Sequence, residues 1–66
     1  MFQVKFLLWD KLANFKDWGY FDEDLEFVSD HLDITPMSLT DSLEFAQTIN
    51  NCDKWQICDI QFEKVV

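Results

Sequence analysis

Residues 2–9 read Phe2-Gln3-Val4-Lys5-Phe6-Leu7-Leu8-Trp9, and apolar side chains alternate with polar ones over the first half of this run. An alternation of period two over this length predicts a β-strand that is buried on one face. The predicted buried face carries Phe2, Val4, Phe6 and Leu8. Gln3 and Lys5 lie on the other face, which becomes apolar at Leu7 and Trp9, so we expect partial cover at that end.

The end of the chain, residues 55–66, has a second alternating pattern and predicts another strand. Cys58, Ile60 and Phe62 alternate there with Asp59, Gln61 and Glu63. Trp55 and Ile57 have the opposite phase. Either a bulge shifts the register at this point, or both faces of the strand are covered.

Residues 10–21 fit two structures. Leu12 and Phe15 have the spacing of one helical turn, whereas aromatic side chains cluster around Gly19 and favour extended backbone. We favour a strand over residues 16–21 that pairs back on the first strand.

Residues 22–34 predict an amphipathic helix, because apolar residues recur there at intervals of four, three and four. The stripe consists of Phe21, Leu25, Val28 and Leu32. Asp22, Glu23 and Asp24 occupy the first predicted turn, where carboxylates interact favourably with the helix dipole.

A second helix is predicted to follow and to end near Asn50. Thr35-Pro36 stops the first helix, and the second begins either at Pro36 or at the capping box Ser38-Leu39-Thr40-Asp41. Its predicted buried residues are Leu39, Leu43, Ala46 and Ile49. The 66 residues therefore predict a single acidic α+β domain, with two helices packed on an antiparallel sheet of two or three strands in the order β-(β)-α-α-β.

The charge is strongly segregated along the chain. Residues 17–53 contain ten acids and no lysine or arginine, while the whole chain has a net charge of −8. A field of one sign repels nucleic acid and attracts basic protein surfaces. We name residues 17–53 the acidic segment and expect it to bind a partner.

On the predicted helix, acids form a row opposite the apolar stripe, at a spacing near that of nucleic-acid phosphates. The row consists of Asp22, Glu23, Glu26, Asp30 and Asp33, with Phe27 beside it. The alternatives are a solvated helix face and a Phe27 that residues 10–21 bury. Trp18 and Tyr20 form a second candidate surface between acids; alternatively, Trp18 and Phe21 cover the core while Tyr20 lies at the surface.

Catalysis, metal binding and membrane insertion have little support. With one histidine and no arginine, the chain offers no combination of nucleophile, base and orienting group, so we expect no enzyme and no cofactor. Cys52 and Cys58 have no second pair to complete a zinc site and predict reduced thiols. No run approaches the roughly 20 apolar residues of a membrane span, and we expect a cytoplasmic protein.

These observations predict a non-enzymatic protein whose acidic segment occupies the basic site of a nucleic-acid-binding protein or enzyme, by charge mimicry of nucleic acid. Size and charge suggest an inhibitor from a virus or mobile element that acts in the host cytosol. The alternative is a homodimeric structural or regulatory subunit whose exposed aromatic side chains form the interface, with the charge serving solubility.

Overall fold

Residues 1–65, which the computed structural model describes, form four strands and one helix. The elements are β1 (Phe2–Asp10), β2 (Phe15–Phe21), β3 (Phe27–Val28), α1 (Leu39–Asn50) and β4 (Ile57–Lys64). The strands make one antiparallel sheet in the order β3-β2-β1-β4. A small α+β domain was predicted correctly, but the prediction of two helices on a two- or three-stranded sheet is wrong.

The central strand β1 confirms the alternation in the sequence, since Val4 and Phe6 are among the most deeply buried side chains. It pairs with β2, so the strand that we favoured for residues 16–21 is also confirmed. The Asp10 carboxylate closes the connecting turn by accepting hydrogen bonds from the backbone N–H groups of Leu12 and Ala13, at 3.0 and 3.2 Å.

The change of phase in the last strand is a β-bulge. Leu7 lies opposite Asp59, but the next residue of β1, Leu8, lies opposite Ile57, so Cys58 is an extra residue. An extra residue reverses the alternation, and for this reason Ile57 and Ile60 both pack against the core. Of the two alternatives for this end of the strand, the bulge is the right one.

Helix α1 begins at the capping box, where the Ser38 side chain accepts a hydrogen bond from the Asp41 N–H at 3.2 Å. Ala46 and Ile49 are buried against the sheet as predicted. Leu39 and Leu43 are each 51% exposed, so their predicted burial is wrong. The other predicted helix, over residues 22–34, does not form.

Residues 22–34 are not a helix, because aspartate side chains compete for their backbone N–H groups. The Asp22 carboxylate accepts from Asp24 and Glu26, both at 2.9 Å, and closes a turn. The Asp30 carboxylate accepts from the Leu32 N–H at 3.0 Å and closes another. Such local bonds give the backbone an alternative to the helical hydrogen-bond pattern.

The rest of this segment is fixed by a residue from β1. Gln3 is only 5% exposed, and its amide donates to the carbonyls of His31 and Ile34 at 3.1 and 2.7 Å. Met37 then exchanges two backbone hydrogen bonds with Phe2 and continues the sheet. Gln3 therefore lies on the face of β1 that the alternation predicts, opposite to Val4 and Phe6, but it is buried on that face.

Gly19 allows the short strand β3 to approach β2 closely. A Cβ atom at this position would lie 2.6 Å from both the Phe27 ring and the Val28 carbonyl oxygen. The ring of Phe27 occupies the space that a side chain would need, and packs edge-on against Phe21 at 5.3 Å. The glycine in the aromatic cluster therefore serves close packing.

Candidate functional site

The five acids predicted to form a row do not lie along one helix, because residues 22–34 are not helical. Asp22, Glu23 and Glu26 lie in or beside the turn between β2 and β3, and Asp30 and Asp33 lie in the loop after β3. The prediction that these carboxylates form a regular row along a helix is therefore wrong.

Three of the predicted acids do converge at a groove between the sheet and α1, with a volume of about 170 Å³. Asp22 and Glu23 approach it from the end of β2, and Asp33 approaches it from the later loop. Its floor is apolar and is made by Phe21, Ile34, Met37 and Phe45. We name this feature the acidic groove. Residues eleven positions apart in the chain, Asp22 and Asp33, share its rim.

Both sides of the acidic groove are held in place by hydrogen bonds. The turn at Asp22 is closed by its own carboxylate, and Asp22 also donates its N–H to the Glu26 carbonyl at 3.1 Å. On the other side, the Gln3 amide holds the Ile34 carbonyl, and Phe2 holds Met37. A partner would therefore meet a preformed groove and would lose little affinity to ordering it.

The carboxylates of the acidic groove are not neutralised by the protein itself. Among residues 1–65, one acidic and one basic group lie within 4.0 Å of each other: His31 Nδ1 is 3.8 Å from Asp30 Oδ1, and this contact involves no lysine. Three lysines instead lie over indole rings, at 5.1 to 5.8 Å from the ring centres. These pairs are Lys5 with Trp18, Lys11 with Trp9 and Lys54 with Trp55.

The chemistry of the acidic groove suits a lysine or arginine side chain from another molecule. The aliphatic stem of such a side chain covers an apolar floor well, and its charged end reaches the carboxylates at the rim. Hydrogen bonds between a cation and a carboxylate are about twice as strong as neutral ones. At about 170 Å³ the groove is smaller than the roughly 300 to 1,000 Å³ of small-molecule pockets.

Phe27, Trp18 and Tyr20 lie apart from the acidic groove. Phe27 belongs to β3 and is half-buried against β2. Of the two alternatives for this ring, burial by residues 10–21 is therefore the correct one. Trp18 is half-buried on the sheet face that α1 does not cover, under the Lys5 ammonium group.

Tyr20 is 5% exposed, and its expected place at the surface is wrong. Its hydroxyl donates to Glu63 Oε1 at 2.5 Å. Burial, the hydrogen bond to Glu63 and the charges of Glu63 and Asp30 together raise the pKa of Tyr20 to about 12, and burial is the largest of these causes. This tyrosine stays neutral and joins β2 to β4 across the sheet.

The apolar floor of the acidic groove was missed in the sequence. Ile34, Met37 and Phe45 belong to a loop and a helix that no shared periodicity connects. The break at Thr35-Pro36 shows that the chain changes course there, but it does not show where the chain goes next.

Helix α1 of the described residues is too short and too polar to cross a membrane. Comparison of the chain with protein-family models, with characterised proteins and with solved structures finds no match.

Proposed function

We propose that this protein is a non-enzymatic binding protein that docks its acidic segment on a cationic surface of another protein. Nucleic-acid-binding proteins carry such surfaces for contact with phosphates, and we propose one of them as the partner. The observation that supports this most is the acidic groove, where Asp22, Glu23 and Asp33 surround an apolar floor without a lysine partner among residues 1–65.

The charge and the groove have different roles in this proposal. The acidic segment accelerates encounter with a basic surface, an effect that salt weakens strongly. An exposed ion pair contributes only about 0.2 to 1 kcal/mol, so the charges alone do not make a specific complex. The apolar floor supplies the buried contact that specific interfaces require near their centre.

More specifically, we propose that the protein inhibits its partner by occupying the site where that partner binds nucleic acid. The basis of this proposal is the sign of the charge and the preformed groove, since residues 22–34 do not form the helix that would align their carboxylates in a row. The partner's nucleic acid and this protein would then compete for one surface.

A pull-down from a cell lysate with two charge-matched variants tests the proposal. Glu23→Lys with Asp33→Lys reverses two charges at the acidic groove. Glu44→Lys with Asp53→Lys reverses two exposed charges of the same segment away from it. We expect the wild type and the second variant to retain a nucleic-acid-binding protein at about 0.1 M NaCl and to release it at about 0.5 M. The first variant should retain none.

Added duplex DNA or RNA should displace the retained protein from the wild type. Equal loss of binding in both variants would mean that charge acts without the groove. If the wild type retained no nucleic-acid-binding protein at low salt, the proposal would be wrong. Circular dichroism of both variants verifies that each is folded.

A further inference from the structure

The outer strand β4 presents an open backbone edge, and its register with β1 shows which residues form it. Val65 donates its N–H to the Met1 carbonyl at 2.8 Å, which sets the alternation of this antiparallel pair. The backbone groups of Gln61 and Glu63 therefore also point toward β1. Those of Ile60, Phe62 and Lys64 point away from the sheet.

One of the outward groups is occupied by the strand's own side chain. The Asp59 carboxylate accepts the Ile60 N–H at 2.8 Å. The bulge at Cys58 ends the regular part of the edge on the same side. Charged side chains and bulges at an edge limit its pairing with other chains. The N–H groups of Phe62 and Lys64 lie beyond this protected part.

An exposed apolar flank runs beside the open part of the edge. Ala46 and Ile49 face the sheet, and Phe45 packs toward Phe6 with ring centres 6.1 Å apart. At 100° per residue, Leu39 and Leu43 must lie on the opposite flank of α1, toward β4. Each is 51% exposed, and Phe62 of β4 is 39% exposed.

We propose that a second copy of this chain pairs with β4 in antiparallel orientation, with Phe62 opposite Phe62 on a two-fold axis. The N–H groups of Phe62 and Lys64 then donate to the carbonyls of Phe62 and Ile60 in the other copy. The Ile60 N–H remains on Asp59, so the pairing forms without displacing that carboxylate.

The charges of β4 select this register. With Phe62 on the axis, Gln61 lies opposite Glu63, and Ile60 lies opposite Lys64. The neighbouring register, centred on Gln61, would place Asp59 opposite Glu63, and like charges directly opposite each other destabilise a strand pair. The selected register also brings the Leu39 and Leu43 flanks of the two helices toward the pair of Phe62 rings.

The available surface matches the need of a modest dimer. The molecule measures 35 × 23 × 20 Å, so a side of 35 × 20 Å sets an upper limit of roughly 700 Å² on the area that one copy can bury, near the roughly 800 Å² per partner of standard interfaces. Two copies of net charge −8 repel each other, which opposes association at low salt. This dimer does not depend on the acidic groove.

Sedimentation of the full chain from about 0.01 to about 1 mM tests the proposal. We expect a monomer–dimer equilibrium that tightens when NaCl rises from about 0.1 to about 0.5 M, because salt screens the repulsion. A monomer throughout would overturn the proposal. So would a dimer that weakens in salt, because that result would indicate contacts between acids and lysines.

Two matched pairs of variants test the register. Lys64→Pro removes an outward N–H that the monomer does not use, because proline is tolerated on an edge strand. The proposed dimer does use this N–H, so the variant should weaken the dimer at least about tenfold relative to Lys64→Ala. Asp59→Ala frees the Ile60 N–H and should tighten the dimer about tenfold relative to Glu44→Ala, which changes the charge equally. Equal affinities within either pair would overturn the register. If Lys64→Pro fails to fold by circular dichroism, the Asp59 pair decides.

Discussion

The two faces of the sheet are held by different forces. On the face under α1, the buried side chains are apolar, and Phe6 packs edge-on against Phe21 at 5.2 Å. On the opposite face, Gln3 and Tyr20 are each 5% exposed, and each makes hydrogen bonds through its polar end. Apolar burial holds the regular elements together, β4 included, whereas directed hydrogen bonds hold the irregular loop and add a second link to β4.

The difference follows from what each force requires. Hydrophobic burial is non-directional and needs only an apolar face of the right period. Residues 29–36 have no such face, and their backbone carbonyls need specific partners once they are covered. Gln3 supplies two donors from one amide and satisfies two of those carbonyls.

The largest expected effect is that of Gln3→Leu, which replaces the polar contact by an apolar one of similar size. It leaves the carbonyls of His31 and Ile34 without their donor, so we expect a loss of about 3 kcal/mol of unfolding free energy in urea. The matched control is Gln61→Leu, an exposed position of the same sheet face, which should change stability by less than about 0.5 kcal/mol. Should Gln3→Leu stabilise the protein, apolar burial would govern both faces.

The second-largest effect is expected at alkaline pH, where Tyr20 loses the proton that it donates to Glu63. The pKa of Tyr20 is raised from 10.0 to about 12, so the folded state holds this proton more tightly than the unfolded state. The stability that this contact contributes is therefore fully present below pH 10 and is lost as the pH rises through about 12, by roughly 2 to 3 kcal/mol. Urea unfolding across this range measures the loss.

Tyr20 is the only tyrosine of the chain, so ultraviolet titration reports it alone. Glu63→Gln keeps an acceptor but removes the charge, and should lower the tyrosine midpoint. Tyr20→Phe should remove the dependence on pH in this range. A wild-type midpoint near the ordinary value would mean that the hydroxyl is solvated and does not hold β4.

The smallest effect is expected in the turn between β2 and β3. Leu25 has φ of 60° and is 51% exposed, so its backbone is strained without compensation from burial. Leu25→Gly removes that strain and should stabilise the protein by about 0.5 kcal/mol, the gain being reduced by the entropy of glycine in the unfolded chain. Leu12→Gly, at a fully exposed turn position without positive φ, should be neutral or destabilising in the same thermal melts. Destabilisation by Leu25→Gly would contradict the strain.

The candidate site joins residues that no periodic pattern in the sequence connects. Asp22, Glu23 and Asp33 were selected for their charge, and they do meet at the acidic groove. They meet through a turn and a loop, however, and their apolar neighbours Met37 and Phe45 had no reason to be grouped with them. The helical period of the apolar residues in 22–34 led to a wrong prediction. It takes no account of Asp22 and Asp30, whose side chains accept hydrogen bonds from nearby backbone N–H groups.

Local sequence was sufficient for the hairpin of β1 and β2 and for the segregation of charge. It predicted the bulge and the start of α1 at Ser38 each as one of two alternatives. Each depends on residues that are neighbours in the chain or on a simple period. The course of residues 22–38 and the acidic groove depend on the Gln3 amide, whose carbonyl partners lie 28 and 31 residues away. A contact over that distance exists only after the sheet has formed, because the sheet is what places Gln3 beneath the loop.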